Sequence, residues 1–402
     1  MPSLLGVRLE FLLFALTLVG VAIFHKRAMY VALVGLATIL SFKLAADSSF
    51  DLVEHMFGGP DQEGEWRVLL NLFGLLLGFA ILARHFEESK VPLLLPRLLP
   101  DDWKGGFVLL SMVFVLSSFL DNIAAAMIGG AIATVVFAGK VHVGYLAAIV
   151  AASNAGGSGS VLGDTTTTMM WIEGVPAAQV LPAYLAALPA LLVFGIIGAR
   201  QQDRFNRIVK EGAAGVRIEW RRVAVVAAIL AGAIAANVLM DFPAAGVWLA
   251  IVLGALVTRA PWGELRHALP GTVFLLSLVL CASMMPVDEL PSPSWVSSLG
   301  LGFVSAVFDN IPLTKLALEQ GGYDWAMLAY AVGFGGSMIW FGSSAGVALS
   351  NMFPQAKNTG SYLRNGWHVG LAYVIGFFIM LAVNGWQPGT DLHVEPSTEA
   401  GP

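Results

Sequence analysis

The sequence is short of the residues that make a water-facing surface. Charged side chains account for 12% of its 402 residues, about half of the ~25% usual in soluble domains. A conventional water-soluble globular protein is thereby excluded. Cysteine is almost missing: Cys281 stands alone, so no disulfide can close within the chain and no Cys-rich metal site or thiol relay can form. The basic residues make no patch interleaved with aromatics, so nucleic acid is not an expected partner. Nor does a basic stretch precede the first apolar run, and no small-x-small cleavage pattern occurs before His25. That first run is expected to be a retained span, not a signal peptide.

What is present is apolar. Hydrophobic residues make up 57% of the chain and the mean hydropathy is +0.76. Many runs approach the ~20 residues that cross a bilayer. Spans are predicted at 5–24, 28–46, 66–84, 143–175 (interrupted), 180–199, 223–240, 244–258, 270–286, 323–353 (interrupted) and 366–386. Two further stretches, 105–138 and 292–320, are bounded by glycine and polar residues and read as re-entrant hairpins. The fold expected is an all-α polytopic membrane protein with about ten transmembrane helices. An N-terminal repeat, 1–199, and a C-terminal repeat, 223–388, are joined by a basic cytoplasmic linker, 200–222, with a Gly-Ala-Ala-Gly break. The tail, 389–402, is expected to be flexible.

Charge placement tests this reading. With the N-terminus outside, the inward loops hold 18 of the 22 Lys and Arg residues, as the positive-inside rule requires. The exceptions are Arg8, Lys43, Arg67 and Lys315. Counting either hairpin as a full crossing would reverse every later loop.

An internal repeat is visible at motif level. Leu116-Ser117-Ser118-Phe119-Leu120-Asp121-Asn122-Ile123 matches Val304-Ser305-Ala306-Val307-Phe308-Asp309-Asn310-Ile311. Further on, Gly156-Gly157-Ser158 with Gly163-Asp164-Thr165 matches Gly335-Gly336-Ser337 with Gly342-Ser343-Ser344 at the same spacing. The topology makes these inverted repeats, whose interface typically carries a substrate site near the midplane.

The repeated residues carry chemistry. A carboxylate at helix centre in lipid costs roughly 2.5–3.5 kcal/mol, so Asp121, Asp164 and Asp309 need compensation. Helix capping explains one polar group per hairpin tip, but not the same pair in both halves. The glycine runs let the backbone unwind, and the freed carbonyls can line a cavity and hold a small cation. Asn154, Ser158, Ser160, Thr165, Thr166, Ser337, Ser343 and Ser344 add oxygens beside them. Carboxylate, amide, hydroxyl and carbonyl oxygens suit small hard cations. Burial favours the neutral form of any carboxylate, so proton and cation compete for the same group. Lys315 is discordant: it occupies the place of Met127 in the first hairpin. Three readings stand: a long side chain snorkelling to the outer interface, a partner for a site carboxylate, and a tethered cation in place of a second bound ion.

At SSFLDNIAAAM, SNAGGSGSVLGDTTTTMMW, SAVFDNIPLT and GFGGSMIWFGSSAGVALSN the chain resembles the NhaD-type sodium/proton antiporters of the ion transporter superfamily. The motifs keep their order across most of residues 100–360. The resemblance implies two opposed hairpins, two broken helices, a homodimer and an elevator-type transport region. It also implies that Asp121, Asn122, Asp164, Asp309 and Asn310 hold the cation and proton, with Asp121, Asp164 and Asp309 as Na+ ligands and no cofactor. Secondary exchange of Na+ (or Li+) for H+ in a bacterial inner membrane is the expectation. The alternative within transport is an organic anion or arsenite on the same fold. An anion site calls for helix N-termini with Arg or Lys and few acids, and this inventory is rich in carboxylates. An intramembrane aspartyl protease is disfavoured: Val161 stands where its Gly-x-Gly-Asp pattern needs glycine, and a shared-proton dyad has no use for the repeated Asn.

Overall fold

The computed structural model describes residues 3–4, 7–24, 27–48, 50–59, 64–91, 99–209 and 217–389. The Gly-Ala-Ala-Gly break of the linker and the tail beyond 389 lie outside the described residues. Within them the chain is helical, apart from a two-residue antiparallel ladder that pairs Ser3–Leu4 (β1) with Val7–Arg8 (β2).

Helices α1 (Leu9–Ile23), α2 (Ala28–Ala46), the short α3 (Leu52–Phe57) and α4 (Trp66–Glu88) come first. Then α5 (Trp103–Ser117) and α6 (Asn122–Val136) flank the first Asp-Asn pair. Next, α7 (Val143–Gly157) and α8 (Thr165–Ile172) flank the first glycine run, and α9 (Ala177–Val180) leads into α10 (Tyr184–Phe205). A similar order follows: α11 (Trp220–Met240), α12 (Pro243–Val257) and α13 (Gly263–Ser283), then α14 (Trp295–Ser305) and α15 (Asn310–Gln320) about the second Asp-Asn pair. Finally α16 (Trp325–Gly335) and α17 (Ser344–Met352) flank the second glycine run, before α18 (Thr359–Asn365) and α19 (Trp367–Asn384).

Among the described residues six helical stretches are long and apolar enough to cross a membrane: Ala28–Ala46, Trp66–Glu88, Ala177–Phe205, Trp220–Met240, Gly263–Ser283 and Trp367–Asn384. This is the pattern of a multi-pass membrane protein. Leu256, Leu239 and Val238 are among its most exposed side chains, an arrangement suited to lipid and not to water. One expected span is shorter: α1, expected over 5–24, has 15 residues, about 22 Å of helix, while α12 keeps its expected length of 15. Another begins earlier, since α13 starts at Gly263 and runs through Pro270. Hydropathy placed that start at the proline because Gly263–Leu269 is polar, yet a polar turn readily extends an apolar helix into water. The acidic stretch before α4 also holds a helix that hydropathy missed: Asp51 caps α3 by accepting from the Val53 and Glu54 amides.

The core is built around α7 and α16. A helix that is apolar all round belongs in an interior; Gly144–Gly157 of α7 and every residue of α16 are buried. Their surroundings match. Helix α5 packs on α7 as α14 packs on α16, and α6 packs on α17 as α15 packs on α8. Close approach explains the glycines: a methyl group at Gly156 would meet the Phe114 carbonyl, and one at Gly335 the Gly302 carbonyl.

Candidate functional site

Four helices begin within this core, and each start is capped by a side chain. Asp121 caps α6, with Oδ2 accepting from the Ile123 amide at 3.1 Å. Asp309 caps α15 in the same way, accepting from the Ile311 amide at 3.1 Å. Asp164 caps α8 through the Thr166 amide at 3.1 Å, and Ser343 caps α17 through the Gly346 amide at 3.2 Å. Each N-terminus carries the positive end of a helix dipole, which favours a nearby carboxylate. Capping thus supplies part of the compensation these acids need.

Capping uses one carboxylate oxygen, and the other faces a neighbouring helix. Thr165 Oγ1 lies 3.5 Å from Asp121 Oδ1, and Ser344 Oγ donates to Asp309 Oδ2 at 3.3 Å. These hydroxyls stand at corresponding places, the first residues of α8 and α17. Two serines outside the expected set complete the frame. Ser117 donates to the Ser153 carbonyl and Ser305 to the Val332 carbonyl, 2.7 Å away in the latter case. Their shared position four residues before each Asp was the available signal.

The centre is a buried amide and hydroxyl network. Asn122 Nδ2 donates to Asn154 Oδ1 at 3.1 Å. Asn154 Nδ2 reaches across to Ser337 Oγ at 2.9 Å and Ser343 Oγ at 3.1 Å. Asn310 Nδ2 lies 3.5 Å from Asp164 Oδ1. Asp164 is 1% exposed, and its Oδ2, like Thr166 Oγ1, has no hydrogen-bond partner among the described residues. Ser158 and Ser160 turn to main-chain carbonyls, those of Ala155 and Ser118.

Asp121, Asp164 and Asp309, the expected Na+ ligands, each stand at a helix start. Among the described residues no group of three His, Cys, Asp or Glu side chains assembles that could hold a metal. Lys315 departs from the snorkelling reading and from pairing with a candidate site acid. It is 1% exposed, so it does not snorkel, and its carboxylate partners are Glu173 at 2.6 Å, Glu319 at 2.7 Å and Glu65 at 3.0 Å. None of the three is a candidate site acid.

Two spaces adjoin the acids. A cavity of about 1440 Å³ is lined by Arg84, Glu88 and Glu264 and also by Asp121, Met127 and Ser344. A void of about 10 Å³ lies between Asp121, Asp164, Thr165 and Thr168, closed by Leu72 and Phe79 among others. That is roughly the space one water or small ion needs. The cavity and Lys315 lie toward opposite ends of α4. Arg84 and Glu88 occupy its last turns, while Glu65 immediately precedes its first residue. The 23 residues of α4 span about 34 Å.

Helices, caps and buried polar centre define an integral multi-pass membrane protein with oxygen donors at the meeting of its two halves. The likeness to NhaD-type sodium/proton antiporters, seen in the motifs, extends along the chain. The chain is 26% identical over 324 residues to sodium/proton antiporter 1 of Arabidopsis thaliana, a match covering 68% of this chain and 53% of that protein. It therefore spans about half the length of that relative. With the Na(+)/H(+) antiporter NhaD of Vibrio parahaemolyticus the identity is 26% over 317 residues, 61% of this chain and 72% of the relative. With the NhaD antiporter of Alkalimonas amylolytica it is 26% over 360 residues, 73% and 70% respectively. These relatives are named as transporters, not enzymes. No protein-family model matches the chain.

Proposed function

We propose that this protein exchanges Na+ (or Li+) for H+ across a membrane. The observation that carries the reading is Asp164: a buried carboxylate, one oxygen unpartnered among the described residues, beside an ion-sized void shared with Asp121. An unpaired buried polar group costs about 1–3 kcal/mol, and more when charged. A proton or a small hard cation relieves that cost, and the two compete for the same oxygen. The names of the relatives support the same exchange.

Asp121, Asp164 and Asp309 are the cation- and proton-bearing groups in this reading. Asn122, Asn154 and Asn310 set their geometry, and Thr165, Thr166, Ser158, Ser337, Ser343 and Ser344 supply hydroxyls. Lys315 is proposed as a structural counter-charge, not an ion ligand. Matched packing and matched capping support two inverted repeats with re-entrant hairpins at the Asp-Asn pairs. We extend this to alternating access of elevator type, a homodimer and a bacterial inner membrane. An organic anion or arsenite gains nothing from the geometry, because three of the four helix starts are already capped by carboxylates.

The test is a proton-gradient assay in proteoliposomes, adding Na+, Li+, K+ and candidate anions separately. Na+ or Li+ should dissipate the gradient. If neither does so between about pH 6 and 9, where a buried carboxylate exchanges its proton, the reading fails.

A further inference from the structure

The two halves place different side chains at the same point of their central helices. Counting from the paired glycine runs, Asn154 of α7 corresponds to Gly333 of α16, Ser158 to Ser337, and Asp164 to Ser343. Asn154 crosses into the other half. Its amide nitrogen donates to Ser337 Oγ at 2.9 Å and Ser343 Oγ at 3.1 Å, and Asn154 itself is fully buried.

At the reciprocal point Gly333 faces Ser158 and Asp164 with no side chain. A methyl group there would lie 3.0 Å from Asp164 Oδ2 and 4.0 Å from Ser158 Cβ. That Oδ2 is the oxygen with no hydrogen-bond partner among the described residues. One cradle is thus satisfied by an amide of the chain, and the other keeps a carboxylate oxygen to which no protein donor is supplied.

We infer that Asn154 and Gly333 together set the number of transported cations at one per chain. An amide N–H donates to oxygen lone pairs where a cation would draw on them, so the Ser337–Ser343 cradle is filled by Asn154. It also has Ser343 where the other has Asp164. The free oxygen of Asp164 takes the cation, and Gly333 is the residue that brings no side chain against it. Asn154 and Gly333 are therefore specificity-determining residues acting through their neighbours. The inference rests on the sodium/proton reading above and adds a stoichiometry and two roles to it.

The experiment is Na+ titration of the purified full-length protein, reading bound 22Na+ per chain and Na+-dependent thermal stabilisation. Wild type should bind one Na+ per chain, displaced by protons. Gly333→Asn, which offers Asp164 an amide like that of Asn154, should weaken Na+ binding at least about tenfold, a loss of roughly 1.4 kcal/mol. The double variant Asn154→Gly/Ser343→Asp gives the second cradle the pattern of the first, and should raise the stoichiometry to two. Two Na+ per wild-type chain would overturn the inference without any variant needing to fold. So would unchanged Na+ affinity in folded Gly333→Asn, or a stoichiometry held at one in the folded double variant. In each of those cases the exchange reading survives. Wild type that binds neither Na+ nor Li+ overturns that reading and the inference with it.

Discussion

The ammonium of Lys315 lies 2.6 Å from a carboxylate oxygen of Glu173, joining α15 of one half to the end of α8 in the other. Glu65 and Glu319 close around the same nitrogen. One cation thus holds three acids whose side chains are 12%, 14% and 24% exposed. Removing one partner of a buried pair costs about 3–5 kcal/mol because the other charge is stranded. Partial hydration of the acids puts Lys315→Met toward the low end. Its melting temperature in detergent should fall, and Glu173→Gln in the same chain should restore part of the loss. An unchanged melting temperature in Lys315→Met would remove the structural role assigned to this residue.

Glu65 gives the cluster a pH dependence. Burial pushes its carboxyl from the ordinary 4.5 up to about 7, against the pull of Lys315 and with the repulsion of Glu173 and Glu319. Between those values the folded chain keeps a proton that the unfolded chain releases. By linkage, this group favours folding below the window, and the advantage is lost as pH rises through it. Glu65→Gln has no such proton. Thermal scans from about pH 4.5 to about 7 should show a smaller decline for Glu65→Gln than for wild type. Parallel curves would exclude Glu65 as the source.

For the capping acids, charge and cap can be separated. Asn caps a helix about as well as Asp does, so Asp121→Asn and Asp309→Asn should leave α6 and α15 in place. Each is nonetheless expected to abolish cation-dependent proton movement in proteoliposomes, at wild-type expression and reconstitution. Full activity in both would show that the caps alone matter.

The paired glycines make a packing prediction. Gly156→Ala and Gly335→Ala each press a methyl group into a facing carbonyl, of Phe114 and Gly302. Both should lower folded yield and melting temperature. Gly300 of α14 meets nothing within 4 Å. There Ala should be neutral or stabilising by up to about 1 kcal/mol, the helix-propensity difference. Thermal unfolding of the three variants side by side checks the contrast.

Local features were legible in the sequence, and long-range partners were not. The helix starts at Asn122 and Asn310 follow from an Asp before an apolar run, a cap that needs only its next few residues. The ends of α7 and α16 follow from their glycines in the same way. Lys315 shows the limit. Its own element was clear, but Glu65 and Glu173 lie 250 and 142 residues away in sequence, and no periodicity links them. Gly333 was missed for a related reason: its importance lies in the missing side chain, which shows only once Asp164 is seen facing it. Hydropathy also misplaced the start of α13, because the rule reads greasiness and the helix follows backbone hydrogen bonding.

Helix α4 ends in charge on both sides, Glu65 with Lys315 at one and Arg84 with Glu88 at the other. These charges stand about 34 Å apart, close to the ~30 Å of a bilayer's hydrocarbon core. A thinner membrane must swell around α4 or tilt it, at fractions of a kcal/mol per ångström. The ends are also tethered: Arg84 to Glu264 of α13, Glu88 to Arg222 of α11, and Glu65 to Lys315 of α15. A tilt of α4 therefore pulls on three other helices. One of them is capped by Asp309, so a tilt of α4 bears on the helix that carries a candidate site acid.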